Sequence, residues 1–221
     1  MNLSRRLFIA AAGALAAGPA FAAAADEPLP AKKLFPFYDL YLAIPAADRS
    51  KFTMAYYLRS NGKPATGVTL TLISAAGVRS PIPIGADGRI LKTPGPADLK
   101  DGKIAIAKAN AADKFQLSME MQPVVRMAEI MPAAELAASI AQCRAAIKAK
   151  AGVIGFAAPK IEQVIFSGLT SGTAVMADGR TAPLPLFKGM PAYDPAAQPG
   201  VASLKFAKAP GRALLAGKKA G

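Results

Sequence analysis

Phe52-Thr-Met-Ala-Tyr-Tyr-Leu-Arg-Ser-Asn-Gly-Lys-Pro-Ala-Thr-Gly-Val-Thr-Leu-Thr-Leu-Ile-Ser74 is the stretch that decides the fold class. Phe52, Met54, Tyr56 and Leu58 recur every second residue, the period of a strand with one apolar face. Asn61-Gly62 supplies two residues that tolerate positive φ, the chemistry of a tight hairpin turn. Val68 to Ser74 alternates again and is rich in β-branched side chains. Working outward, Ala75-Ala76-Gly77 turns the chain. Ser80 to Ile84 then sets Ile82 and Ile84 on one side and Pro81 and Pro83 on the other. Two prolines on one side suit an edge strand, because they leave no N–H without a partner. Asp87-Gly88 turns into Arg89–Lys92, and Pro94 to Pro96 form a loop. Lys103–Lys108 and Lys114–Gln122 read as strands. In the second, Phe115, Leu117, Met119 and Met121 face away from Gln116, Ser118, Glu120 and Gln122. Val124–Ile130 reads as one more extended piece.

Helical spacing is rarer. Upstream, Phe37, Leu40, Tyr41 and Ile44 follow Pro36 at the period of a short helix, which Pro45 ends. Downstream, Pro132 opens a helix over about residues 133–150, with Glu135 in its first turn and Gly152 at its stop. Leu136, Ile140, Cys143 and Ile147 form its apolar stripe. Arg144, Lys148 and Lys150 sit where the helix dipole favours cations. Beyond it, Ile161–Phe166, Thr173–Ala177, Arg180–Leu186 and Val201–Phe206 read as strands, the middle two joined at Asp178-Gly179. The expectation is a mainly β (α+β) chain of antiparallel, sandwich-like lobes with one amphipathic helix between them. It comprises a flexible leader (23–34), a β-rich lobe (35–130), a connecting helix (132–152), a second lobe (155–210) and a basic tail (211–221). No repeat of fixed period stands out, although the Asp87-Gly88 and Asp178-Gly179 hairpins share a local pattern.

Residues 1–22 read as a targeting segment. Arg5 and Arg6 precede an apolar run, Leu7–Ala17, too short to span a hydrocarbon core of about 30 Å. Ala20-Phe21-Ala22 then places small residues where a signal peptidase reads, which predicts cleavage between Ala22 and Ala23. Ser4-Arg-Arg-Leu-Phe-Ile9 resembles the bacterial twin-arginine export motif, and a general secretory signal carrying two arginines is the other reading. Either exports the chain, which points to the periplasm. No later stretch reaches the length of apolar residues needed for a transmembrane helix. In an oxidising periplasm a lone Cys143 either pairs between chains or stays buried and reduced.

Two further segments carry a resemblance. Asn61-Gly-Lys-Pro64 between two strands, followed by Ile84-Gly-Ala-Asp-Gly-Arg89, resembles the transthyretin-like or immunoglobulin-like sandwiches of secreted bacterial proteins. It covers less than half of the chain and implies an antiparallel sandwich for the first lobe. The whole layout resembles exported proteobacterial proteins in which a signal peptide precedes a small β-rich body. That resemblance implies export and no particular activity.

Composition narrows the chemistry. The 221 residues are 52% apolar and 19% charged, a globular balance. The chain has no His, no Trp and one Cys. Imidazole bases, His-containing triads, an intrachain disulfide and Cys-rich metal sites are thereby excluded. Ser167-Gly-Leu-Thr-Ser-Gly172 lacks the leading Gly of a nucleophile elbow. Met119, Met121, Met127 and Met131 lie close in sequence, and thioethers can hold Cu(I), which makes a copper carrier one alternative. The same side chains also suit a core face. Cys143 lies on a helix stripe with no histidine to activate it and reads as packing. Asp48, Asp87, Asp98, Asp101 and Asp178 sit in turn-like contexts, and Glu120 on a polar strand face. A carboxylate-based periplasmic hydrolase therefore requires folding to pair them.

Charge is the one global signal. Lys+Arg number 27 against 14 Asp+Glu, a net charge of +13. Loss of Arg5 and Arg6 takes the basic count from 27 to 25 and leaves +11. The excess is spread along the chain, with no Arg-rich block or aromatic-interleaved motif of a nucleic-acid binder. The expected partner is an anionic cell-envelope component or another periplasmic protein. No cofactor is expected. The reading that follows is a non-catalytic periplasmic binding or scaffolding protein.

Overall fold

The computed structural model describes residues 28–65, 67–108, 115–154 and 160–218. Arg5, Arg6, Ala22 and Ala23, and with them the export reading, lie outside the described residues. The chain is mostly β, a sandwich-like α+β fold built on four antiparallel sheets. It divides into two compact units. The first holds residues 28–43 and Met54–Met119, and the second holds Ile44–Thr53 and the chain from Glu120 onward.

The first unit begins with β1 (Leu29–Pro30), α1 (Ala31–Leu34) and α2 (Tyr38–Leu42). It continues through β2 (Phe52–Ser60), β3 (Lys63–Pro64), β4 (Val68–Ile73) and β5 (Arg79–Ile82). It closes with α3 (Pro96–Asp101), β6 (Lys103–Lys108) and the start of β7 (Phe115–Pro123), which passes into the second unit at Glu120. One sheet has the order β1-β6-β4-β5 and the other β3-β2-β7. The alternation in β4 does what it predicts: Val68, Leu70 and Leu72 are buried while Thr69 is exposed. Asn61 (φ 51°) and Gly62 (φ 78°) form the expected turn, pairing Ser60 with Lys63. Met54–Leu58 are all buried, so β2 is covered on both faces rather than one. The helix expected after Pro36 shortens to α2, because Phe37 takes a left-handed φ of 64° at its start. Leu29–Leu34, expected to be a flexible leader, is instead ordered as β1 and α1. Pairing with β6 and burial of Ala31 and Leu34 hold it down.

The second unit opens with a 3-10 turn (Ala46–Arg49), β8 (Ile130–Pro132) and α4 (Ala133–Ile154). Then come β9 (Gln163–Ser167), β10 (Thr173–Met176), β11 (Thr181–Pro183) and β12 (Leu186–Phe187). It ends with β13 (Met190–Tyr193), β14 (Val201–Lys205) and β15 (Arg212–Ala216). Its sheets have the orders β11-β10-β14-β8 and β12-β13-β9-β15. The expectation of a connecting helix fails. α4 packs on β14, β9 and the 3-10 turn, so it belongs to this unit's core. Leu136, Ile140, Cys143 and Ala146 are its buried stripe, and the buried Ser139 hydroxyl donates to the Glu135 carbonyl. The Gln142 side chain ties α4 to the 3-10 turn by donating to the Ala47 carbonyl at 2.8 Å and accepting from the Lys51 N–H at 2.6 Å. The expected basic tail is also redrawn. Arg212–Ala216 forms β15, paired with β9 along five residues, because Ala213–Ala216 are apolar enough to be buried. Of Val124–Ile130, only Ile130 joins a strand.

The two units repeat one topology. The orders β1-β6-β4-β5 and β8-β14-β10-β11 are the same arrangement, each starting from a short Pro-containing strand that leads into a helix. Adding 102 to the residue numbers of β1, β4 and β5, and 100 to those of β6, gives the register of the second: Thr71 pairs with Pro81 and Ala105, and Thr173 with Pro183 and Lys205. At the first of these shifts Leu29-Pro-Ala31 and Leu34 match Met131-Pro-Ala133 and Leu136, and Ser80-Pro-Ile-Pro-Ile84 matches Ala182-Pro-Leu-Pro-Leu186. The turns match bond for bond. Gly77 donates to the Ser74 carbonyl at 2.9 Å and Gly179 to the Met176 carbonyl at 3.0 Å, and both glycines have positive φ. Beyond the next turn the offset falls to 101: Leu91 donates to the Pro83 carbonyl and Ala192 to that of Pro185. The absence of a repeat expected from the sequence is thereby corrected. Its period is about half the chain, and it is carried by register more than by residue identity.

Candidate functional site

In each unit the sheet containing β1 or β8 buries one face and leaves the other open. Because side chains alternate across a strand, the residues on the open face follow from the register. In the first unit Arg79, Ile73 and Lys103 are direct partners across β5, β4 and β6, with Pro30 beyond Lys103. Strands lie about 4.8 Å apart, which sets the backbones of Arg79 and Lys103 about 10 Å from one another. The next row is Pro81, Thr71 and Ala105, followed by Thr69 and Ala107. In the second unit the rows are Pro183, Thr173, Lys205 and Ile130, then Thr181, Val175, Ser203 and Pro132.

Every one of these residues is exposed or half-buried. They are small, hydroxyl-bearing, apolar or cationic, and none is a carboxylate. Among the described residues, Arg79, Lys103 and Lys205 form no ion pair. Apolar side chains stand among the cations: the half-buried Ile73 lies between Arg79 and Lys103, and Ile130, 60% exposed, is the register partner of Lys205. Prolines in β1, β5, β8 and β11 occupy the sheet edges and limit further strand pairing there.

The residues singled out in the sequence fall elsewhere. Met119, Met121 and Met127 are half-buried, and Met131 is buried opposite Leu204. Cys143 is fully buried on α4, and burial pushes its thiol up to about 12, which leaves it protonated and unreactive at neutral pH. Asp87 and Asp178 each accept the N–H of the arginine two residues on, at 3.0 Å, as turn-forming carboxylates do. Glu120 was expected on an outward polar face. Instead it is mostly buried, meets Arg212 Nη2 at 3.2 Å and accepts from Gln122 Nε2 at 2.9 Å. The first half of β7 buries Phe115 and Leu117, whereas its last two residues, Gln122 and Pro123, are both buried, so the strand is covered on both faces there. Among the described residues no group of three Asp, Glu or Cys side chains gathers as a metal site, and no helix is long and apolar enough to cross a membrane.

Two buried anchors escaped the sequence. Tyr56 donates to the Pro36 carbonyl at 2.6 Å inside a cluster with Phe35 and Tyr38, and burial, reinforced by Tyr38 and Asp39, raises its phenol. In the second unit Asp194, 4% exposed, pairs with Lys218 Nζ at 2.6 Å, and its other oxygen accepts the Ala196 N–H at 2.9 Å. Burial alone would raise the Asp194 carboxyl, but the Lys218 ammonium and the Ala196 and Ala197 N–H groups outweigh it and hold it below the ordinary range. The cationic faces themselves were present in the sequence only as scattered lysines and arginines, since it takes the register to bring Arg79 to Lys103. Comparison with known proteins finds no matching family model, no matching curated protein and no matching solved structure.

Proposed function

We propose that this chain is an exported, non-catalytic protein that docks on an anionic component of the cell envelope. The observation that carries the reading is the pair of open sheet faces that hold cations and no carboxylate. The net charge of +13 adds long-range attraction to any anionic surface. Arg5, Arg6 and the Ala22–Ala23 cleavage point support the periplasmic address. N-terminal sequencing of periplasmic protein should read Ala23 first, and an intact Met1 recovered from the cytosol would overturn that address.

Sedimentation of the purified protein with phosphatidylglycerol vesicles, lipopolysaccharide and peptidoglycan tests the binding. At least one should retain it at low salt and release it near about 1 M salt, where the screening length falls to about 3 Å. Neutralising Arg79 and Lys103 together (Arg79→Gln, Lys103→Gln) should weaken retention by about 2 kcal/mol, at about 1 kcal/mol per cation. Retention on none of the three, or retention indifferent to salt, would remove the reading.

A further inference from the structure

The repeat carries the reading further. We infer that the chain is two copies of one module and that each copy has its own docking face for the phosphate headgroups of an anionic lipid surface. This rests on the anion-binding reading above. Both faces occupy the same topological position, the open side of the sheet that runs β1-β6-β4-β5 or β8-β14-β10-β11.

The chemistry favours a lipid surface over a free anion. A small anion calls for a concave set of donors, whereas these faces are the open sides of sheets. Each also sets a β-branched apolar side chain among its cations, the half-buried Ile73 between Arg79 and Lys103 and the exposed Ile130 opposite Lys205. Apolar side chains enter the headgroup region while Lys and Arg meet the phosphates, as at other peripheral membrane faces. The two faces differ in strength, since the first has Arg79 and Lys103 in one row and the second has Lys205 alone in its rows.

Amide chemical-shift mapping of the full protein, titrated with small bicelles containing phosphatidylglycerol, reads the two faces separately. Shifts are expected at Thr71, Ile73 and Lys103 and also at Thr173, Val175 and Lys205. Arg79→Gln with Lys103→Gln should weaken the first set about 25-fold and spare the second, while Lys205→Gln should weaken only the second, about fivefold. The amide spectrum of each variant also shows whether it remains folded. Shifts confined to one face overturn the two-module inference and leave the envelope-binding reading standing. Shifts with peptidoglycan fragments and none with the lipid overturn the choice of lipid. Silence toward lipid, lipopolysaccharide and peptidoglycan alike removes both.

Discussion

Leu70 and Ile106 in the first unit occupy the places of Gly172 and Phe206 in the second. The adjoining strand pairs, Thr71 with Ala105 and Thr173 with Lys205, are equivalent, but the volume is divided in opposite ways. In the second unit Phe206 lies against Phe166, ring centres 4.8 Å apart, and covers Gly172 so closely that an added Cβ would meet its ring at 2.6 Å. In the first unit two medium aliphatic residues share the same space. Beside Ile106 lies a cavity of about 10 Å³, lined among others by Leu29, Leu58 and Phe115. One fold thus accepts two side-chain solutions, provided that large and small residues exchange together.

That exchange is directly testable and should give the largest effect. Gly172→Leu installs the first unit's residue without its partner, and Phe206 and the Leu184 methyl at 2.9 Å must both give way. Thermal and denaturant melts should show a loss of about 3 kcal/mol, the upper part of the range for overpacking. Adding Phe206→Ile should restore much of it. If the double variant is as unstable as the two single losses summed, the positions are not equivalent and the comparison breaks.

The same comparison shows what could be read from the chain alone. Turns were legible because their chemistry is local. Asn61-Gly62, Asp87-Gly88 and Asp178-Gly179 carry the residues that positive φ and side-chain capping demand. Strand alternation was legible in β4, where one face is buried along its length. It misled in β7, whose last residues are covered on both faces, so Glu120 and Gln122 are withdrawn from solvent although they lie on the polar side of the pattern. The role of α4 was hidden because a helix between two β-rich stretches reads as a linker until its packing on β14 is seen. The repeat was hidden by substitutions such as Leu70 for Gly172, which keep the register and change the letters. The cationic faces were invisible for a related reason: Arg79 and Lys103 are 24 positions apart and meet only across β4.

A second contrast concerns the loop after the repeated hairpins. Thr93 bonds the Tyr38 hydroxyl at 2.7 Å in the first unit, and its counterpart Asp194 holds Lys218 in the second. Asp194→Thr should cost the second unit about 2 kcal/mol, the scale of a hydrogen bond to a charged group. The pH dependence has a definite sign. A lowered carboxyl stabilises above its unfolded value of about 3.9 and loses that contribution as pH falls through the lower folded value. Lys218, raised by its hydrogen bond and attraction to Asp194, contributes below about 10.4 and loses its contribution as pH rises through the higher folded value. The pair therefore acts across neutral pH, and in stability curves Asp194→Thr should lose most near pH 7 and little near pH 2. An equal loss at both would assign the effect to packing rather than charge.

The smallest effect tests the turns themselves. Ser74–Val78 and Met176–Arg180 share two backbone bonds, yet they treat the last N–H differently. In the second unit Asp178 Oδ1 accepts the Arg180 N–H at 3.0 Å. In the first, Ala76 stands in that place and Ser74 Oγ accepts the Val78 N–H from the other side at 3.2 Å. Ala76→Asp supplies the missing acceptor where one already exists, so the two compete and the gain should be only about 0.5 kcal/mol. Ser74→Ala first removes the competitor and leaves the exposed N–H to water. In that background Ala76→Asp should recover more, about 1 kcal/mol, because it then makes a bond rather than replacing one. A larger gain with Ser74 absent than with it present is what two interchangeable caps on one turn require. Equal gains would mean that the aspartate acts on the turn in some other way, and that the two hairpins share backbone geometry without sharing the position from which it can be capped.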